Sequence, residues 1–592
     1  MKKLIALALA LLMVLGLAAC GSPKPQAEQA GIKDGTYTGE GTGKGGTIKV
    51  EVTIKDSAVT DIKVLENKET QGFDKAMETL TQSIIEKNST EVDTVAGCTL
   101  TSKGFLEAVN AALASAGATP ELLKKVNATT ADAAEKKDVE ETHDIVVIGA
   151  GGAGFSAAIE AKMAGADVII LEKLPVPGGN TLISGAEYAA PANWLQEKEN
   201  IKDNPEQMAE DMLKGGDNKN DPELVKVVAN GALDGAKWLR DVVGVEWENE
   251  LMFFGGHSVK RSLIPKGASG QEIIVKQQAK AKELGIKVLC NTPATELITD
   301  ESGKVVGVKA EGPDANYTFK TNKAVILTTG GFGSNIEMRK KYNPEIDENI
   351  LSTNSVGSTG DGIDMAEKVG AELVGMEYIQ TYPICDPLTG TLLYFDDARL
   401  YGHTVIVNKE GKRFVEELGR RDVMSMAIKA QTDHCCYEIV DQNGYEQSKL
   451  EENHAAEIKY LYDNKLLVKG DTIEEVADFF EIDSTEFKKT IENYNKYVDE
   501  GKDPEFNKRS MPSKVEKAPF YVIKAVPAVH HTMGGVKINT NAQVINKDGK
   551  VIDGLYAAGE VTGGIHGTNR LGSNALADIT VFGRIAGCNA SK

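Results

Sequence analysis

The feature that most constrains the fold of this chain is a glycine cluster at the end of an apolar strand. His143-Asp144-Ile145-Val146-Val147-Ile148 reads as a buried strand, runs into Gly149-Ala150-Gly151-Gly152-Ala153-Gly154, and continues as an apolar helix from Phe155 to Ala164. A second strand, Asp167 to Leu171, ends at Glu172, eighteen residues beyond Gly154. A strand–helix–strand unit of this length implies a parallel sheet. Gly149 permits the tight turn, Gly151 lets the backbone approach a pyrophosphate, and Gly154 allows close helix–strand packing. The helix start supplies free N–H groups and a partial positive charge. Glu172 is placed to accept hydrogen bonds from an adenosine ribose and disfavours a 2′-phosphate. The spacing therefore predicts an α/β protein with a dinucleotide site.

The chain is long enough, at 592 residues, for three or four domains. Its net charge of −21 argues against nucleic-acid binding, which needs basic patches. A basic start, Met1-Lys2-Lys3, precedes an apolar run from Leu4 to Leu17 that is too short for a membrane span. The run ends in Leu17-Ala18-Ala19-Cys20, which resembles the lipobox of bacterial lipoproteins, so residues 1–19 are expected to be a signal peptide and Cys20 the lipidated residue. That implies a protein anchored by lipid to the extracytoplasmic face of the cell membrane. Residues 20–31 read as a tether. Six further cysteines, Cys98, Cys290, Cys385, Cys435, Cys436 and Cys588, show no disulfide framework or zinc spacing, and no metal site is expected.

A small domain is expected over residues 32–118. Thr47 to Ile54 and Val59 to Val64 alternate with period two around a turn at Asp56-Ser57, which predicts a hairpin with one buried face. Helical periodicity runs from Ala76 to Glu86 and from Lys103 to Ala116. Residues 119–141 are polar and read as a linker.

Several later segments, Pro177-Gly178-Gly179-Asn180-Thr181, Gly360-Asp361-Gly362 and Gly554-Leu555-Tyr556-Ala557-Ala558-Gly559-Glu560, resemble those of the fumarate reductase and succinate dehydrogenase flavoprotein family. The resemblance covers roughly residues 144–590. It implies non-covalent FAD, held by Gly149, Gly151, Ala153, Gly154, Glu172, Gly179, Asn180, Thr181, Gly185, Asp361, His531, Glu560 and Leu576. It also implies a Rossmann-like FAD-binding domain (142–377 and 523–592) interrupted by an α+β capping domain (378–522). Val529-His530-His531-Thr532-Met533-Gly534-Gly535 and Gly567-Thr568-Asn569-Arg570-Leu571-Gly572-Ser573 carry family motifs. On these motifs His530, Arg570 and Ser573 would bind the carboxylate of an unsaturated acid; a third family motif, Asn408-Lys409-Glu410-Gly411-Lys412-Arg413-Phe414 followed by Arg420-Arg421-Asp422, implies that Arg421 would protonate the α-carbon after hydride reaches the β-carbon. An arginine suits carboxylate binding because its donor fork matches two oxygens.

The distal part of the substrate site departs from the fumarate pattern. Thr381-Tyr382-Pro383 and Asp396-Asp397-Ala398-Arg399-Leu400 put a phenol and acids where a second carboxylate would need cations, and like charges repel. The pattern resembles urocanate reductases. It implies an imidazole at that end, contacted by Tyr382, Asp397, Glu187 and Phe254, with Asp397 also feeding protons to Arg421. Ala96-Gly97-Cys98-Thr99-Leu100-Thr101 resembles the flavinylation motif of FMN-binding domains and implies FMN esterified to Thr101, a membrane-associated electron donor, and electron flow through the small domain. Fumarate and other acrylates, aryl acrylates included, stay open as substrates. An oxidase or dehydrogenase run in reverse and a substrate-binding lipoprotein with a vestigial flavin site stay open as functions.

Overall fold

A computed structural model of the chain describes residues 32–43, 46–56, 58–67, 69, 74–92, 94, 99–118 and 136–592. The expected signal peptide, Cys20, the tether and most of the linker lie outside the described residues, as do Ala96, Gly97 and Cys98 of the flavinylation motif. Among the described residues no helix is long and apolar enough to cross a membrane.

The small domain is a three-stranded antiparallel sheet, β1 (Gly35–Thr42), β2 (Thr47–Lys55) and β3 (Ala58–Asn67), with two helices, α1 (Asp74–Lys87) and α2 (Thr99–Ser115). Alternation fixes which face is covered: Ile48, Val50, Val52 and Ile54 are buried, while the residues between them are part-exposed. Both helices start earlier than the periodicity indicates, because their first turns are polar.

The main body is an eight-stranded sheet. Its first part contributes β4 (Lys137–Ile148), helix α3 (Gly152–Met163), β5 (Val168–Leu171), β6 (Lys287–Leu289), β7 (Ala294–Thr299), β8 (Val305–Glu311) and β9 (Ala315–Leu327). The order β7-β8-β9-β4-β5-β6 combines a parallel core, β9-β4-β5-β6, with an antiparallel edge at β7 and β8. The first strand starts inside the segment read as linker, because residues 137–142 pair with Ala315–Lys320. Ile145, Val146 and Val147 are fully buried, as a parallel sheet covered on both faces requires.

The chain then leaves this sheet to build the cap: β10 (Ile379–Cys385), helix α4 (Asp397–Leu400), β11 (Val405–Val407), helix α5 (Arg421–Lys429), β12 (Cys436–Asp441), helix α6 (Leu450–Asp463), β13 (Leu467–Gly470) and β14 (Phe520–Thr532). These strands form one antiparallel sheet in which β14 pairs with β10, β12 and β13. The thirteen-residue β14 runs straight through the expected boundary at 522/523. The chain returns to the main sheet as β15 (Gln543–Ile545) and β16 (Val551–Ala557), the latter parallel to β9, and ends in helix α7 (Asn574–Ala590), which packs on α3. The cap has its own apolar cores, one centred on Tyr382, Ile384, Phe395 and Ile523 and another on Val407, Tyr437 and Phe487.

Candidate active site

Two neighbouring cavities share Asn180, Thr181, Ser355, Glu560 and Ile579. The smaller, about 110 Å³, lies over the β4–α3 turn. Gly149 has φ +104°, and a Cβ there would stand 2.4 Å from the Thr328 carbonyl oxygen. A Cβ on Gly154 would stand 1.9 Å from the Gly149 carbonyl oxygen, so α3 is pressed directly against the turn. At Gly151 a Cβ would meet only the Gly178 carbonyl oxygen at 3.8 Å, which leaves an open cradle. No side chain caps α3 and no acid occupies its first turn. Uncapped N–H groups of this kind fit a pyrophosphate. Ala153, Glu172, Gly179 and Asp361 also line this cavity. Glu172 accepts hydrogen bonds from Ala150 N (2.9 Å) and Leu174 N (2.8 Å), one on each oxygen. Each oxygen keeps a second lone pair for a ribose hydroxyl. Asp361 is paired with Lys173 at 2.6 Å.

The larger cavity, about 930 Å³, continues from there. Its inner wall carries Asn180, Thr181, Gly185, His531, Glu560 and Leu576. Asn180 donates to Glu560 Oε2 (3.1 Å) and accepts from Ser355 N (2.7 Å), and Glu560 Oε1 accepts from Thr532 N (2.9 Å). His531 Nδ1 lies 3.7 Å from Glu560, and its ring meets His566 edge-on. Burial, helped by Arg570, holds His531 well below the usual imidazole range.

The same cavity is lined by two groups of charged side chains. One is basic. Arg570 donates through Nη1 to Leu571 O (3.1 Å) and through Nη2 to Gln380 Oε1 (3.1 Å), while its buried Nε has no partner among the described residues. Burial, with the nearby Arg421 charge, lowers Arg570 to about 9. His530 Nδ1 is 2.9 Å from the Thr353 hydroxyl, which can donate to it and leave Nε2–H to face the chamber. His530 is held neutral by burial and the two arginines. Two guanidiniums and a buried neutral imidazole suit an anion. Arg421, the first residue of α5, lies between aromatic rings, 4.9 Å from the Tyr382 centroid and 5.4 Å from that of Phe254. Cation–π contact fixes its guanidinium, and burial lowers its pKa.

The second group is acidic. Glu187 and Asp397 line the cavity together with Tyr394, Leu400, His454 and Glu457. Burial, reinforced by the Asp397 charge, raises Glu187 to about 7. His454 Nε2 contacts Asp397 Oδ2 at 3.1 Å, and its ring stacks on Tyr394.

Two expected contacts differ in detail. The Tyr382 hydroxyl donates to Asp396 Oδ2 (2.5 Å) rather than standing free for a ligand. Asp396 is itself paired on both oxygens with buried Arg399, and the phenol completes the hydrogen bonding that a buried ion pair requires. Tyr382 thus offers the chamber its ring, as a support for Arg421 and His530. The Ser573 hydroxyl spends its proton on Gly572 O (2.5 Å), so Ser262 donates to Ser573 Oγ (2.7 Å). All the other sequence-derived residues described line one of the two cavities, apart from Gly154 beneath the turn. Thr101 belongs to the same list: it lines the larger cavity with Thr94 and Lys103 of the small domain, its hydroxyl donating to Glu69 (2.5 Å).

Residues 144–576 match the family model of the FAD binding domain, and residues 43–114 match that of the FMN-binding domain. The chain belongs to the fumarate reductase flavoprotein family. A urocanate reductase of Eggerthella lenta is 46% identical over 98% of this chain and 96% of its own length. A fumarate reductase (cytochrome) of Shewanella frigidimarina is 40% identical over 76% of this chain and 77% of its own. The open conformation of a flavocytochrome c3 fumarate reductase superposes with a TM-score of 0.65 at 40% identity, over 76% of this chain and 78% of that one. As a member of this family the chain is an oxidoreductase acting on carbon–carbon double bonds, with an FMN-binding domain ahead of its FAD-binding domain. Gln380, Thr353 and His454 escaped the sequence reading. Gln380 stands two residues before Tyr382 on β10, which is a signal; nothing in the α6 sequence marks His454.

Proposed function

We propose that the protein reduces the C=C bond of urocanate, an imidazolyl acrylate, to give imidazole propionate. The observation that carries this reading is the charge of the cavity lining. Arg570, His530 and Arg421 line one cavity with the acids Asp397 and Glu187, and those acids would repel a second carboxylate placed against them. An imidazole N–H suits such acids. Arg570 and His530 bind the carboxylate and draw density from the alkene. Asn180, Glu560 and His531 would hold FAD, whose chemistry when bound would be hydride donation. Arg421 then gives a proton to the α-carbon. Ordinary guanidinium is too weak an acid, with a pKa above about 12, but burial lowers Arg421 and the carbanionic carbon is a strong base.

Two further elements belong to this reading. The sequence from Met1 to Cys20 supports a lipid-anchored, extracytoplasmic enzyme fed by a membrane-associated donor. The flavinylation-like motif, with Thr101 on the wall of the larger cavity, supports FMN attached at Thr101 as the electron inlet and FAD held without a covalent bond.

Anaerobic turnover tests the substrate. Flavin-loaded protein is mixed with reduced methyl viologen, and dye oxidation is followed with urocanate or fumarate. Rapid turnover with urocanate and little with fumarate is expected. The reverse preference refutes the reading of the acidic group.

A further inference from the structure

Asp396 and Asp397 are neighbours on one turn, yet they are held differently. Asp396 is fixed on both oxygens by Arg399 and also accepts from the Tyr382 hydroxyl. The Asp397 carboxylate has one partner among the described residues, His454, whose Nε2 lies 3.1 Å from Oδ2. A carboxylate oxygen accepts, so Nε2 carries the hydrogen. An aspartate on a cavity wall is otherwise free to turn about its side-chain bonds, and a ligand that uses it must first take up that freedom.

Helix α6 holds this stretch from two points. Glu457 accepts from Tyr394 N (3.0 Å) and Phe395 N (2.8 Å), which fixes the backbone of the turn that runs into α4. Three residues earlier, His454 lays its ring on that of Tyr394, 5.0 Å between centroids and 12° between planes. Tyr394 is tied in turn, its hydroxyl donating to Ile183 O (3.0 Å). The stack sets the plane of the imidazole, and the imidazole sets the carboxylate. Both His454 and Asp397 line the larger cavity, and Asp397 is the more exposed of the two, 14% against 9%. The contact therefore leaves the carboxylate open: Oδ2 carries the imidazole, and Oδ1, without a partner among the described residues, can accept an N–H from a ligand.

Resting on the function proposed above, we infer that His454 determines substrate specificity by aiming the Asp397 carboxylate at the ring of the substrate. It acts through Asp397, as a positioning residue. The fixed carboxylate works in two directions. A substrate with an N–H at that place meets an acceptor already oriented, and loses less on binding. A substrate with a second carboxylate there meets a charge that cannot turn aside, which is discrimination by repulsion. An unheld aspartate would serve the first less well and oppose the second less firmly.

The test uses full-length, flavin-loaded protein, reduced viologen, and urocanate and fumarate in turn. His454→Phe keeps a ring to stack on Tyr394 and removes the donor; His454→Gln keeps a donor that reaches as far as Nε2 and removes the ring. In H454F the KM for urocanate is expected to rise about three- to tenfold, the worth of one hydrogen bond, with kcat little changed. The urocanate/fumarate ratio of kcat/KM should fall by at least that factor, and H454Q should recover most of it. In an Asp397→Ala background H454F should move the ratio by less than about twofold, because nothing is left to aim. A wild-type ratio in H454F overturns the inference, as does an equal loss on both substrates, an H454Q as impaired as H454F, or the same shift in the D397A background. Should H454F not retain flavin, His454→Asn, whose amide stops short of Asp397, is expected to give the same fall in the ratio, and a wild-type ratio there overturns the inference. Wild-type protein that is inactive on urocanate, or prefers fumarate, overturns the functional reading instead, a result distinct from any of these.

Discussion

Asp397→Asn separates the two jobs assigned to that carboxylate. The substitution keeps the shape and removes the charge from the distal end. A hydrogen bond to a charged group contributes about 1.5–3 kcal/mol, so kcat/KM for urocanate should fall roughly 10- to 150-fold at about 1.4 kcal/mol per decade. For fumarate the sign reverses. Two like charges 4–6 Å apart at an effective dielectric of about 20 repel by roughly 3–4 kcal/mol, and removing one relieves that term. Any loss of proton delivery strikes both substrates alike and cancels in their ratio. The urocanate/fumarate ratio of kcat/KM, measured by viologen oxidation with flavin content matched, should therefore fall about a hundredfold or more. A ratio unchanged within about threefold refutes the assignment of Asp397 to the distal group, whatever happens to the separate rates.

Gly151→Ala should keep the wild-type melting temperature of the apoprotein yet weaken FAD retention, because its Cβ enters only the open cradle, whereas Gly154→Ala should cost folding as well, its Cβ falling 1.9 Å from the Gly149 oxygen; flavin absorbance and thermal melts separate the two. Glu187→Gln should alter the pH dependence of stability: the wild-type carboxyl is raised from 4.5 to about 7, so the folded state holds the extra proton and stability declines as pH rises through that window. Urea midpoints between pH 5 and 8 should fall less steeply in the variant, though not flatten, since burial also raises Glu457 to about 7. Thr101→Ala should abolish flavin fluorescence of the denatured protein band while leaving bound FAD and viologen-driven turnover in place. Loss of both flavins would contradict the separate roles of the two domains.

The dinucleotide half of this protein was legible because its chemistry is local. A strand, three glycines, a helix and an acid within thirty residues fix a turn and a cradle, and the residues that read as tight turn and close packing sit in those places. The basic group of the cavity was similarly readable from two short motifs. The acidic group was readable in identity and not in arrangement. Two adjacent aspartates look equivalent in sequence, yet helical geometry turns Asp396 inward onto Arg399 and Tyr382 and leaves Asp397 on the cavity. Only a partner three residues along the same turn, and a tyrosine from another strand, decide between them. His454 was invisible for a simpler reason: it reaches Asp397 across fifty-seven residues of chain, through no motif at all.

The long strand β14 has a practical consequence for anyone who would retarget this enzyme. It belongs to the cap sheet at Phe520 and to the substrate floor at His530, so the cap is not a module that can be cut off at its edge. Tyr382, Asp397, Arg421, His454 and His530 all lie within the single stretch Ile379–Thr532. A chimera that exchanges that whole stretch between relatives swaps Tyr382, Asp397, Arg421 and His530 in one step and carries His531 with them, and leaves Glu187, Phe254, Arg570 and the β4–α3 turn untouched. A junction placed at residue 522 would instead splice two half-strands of different parentage through the middle of a sheet.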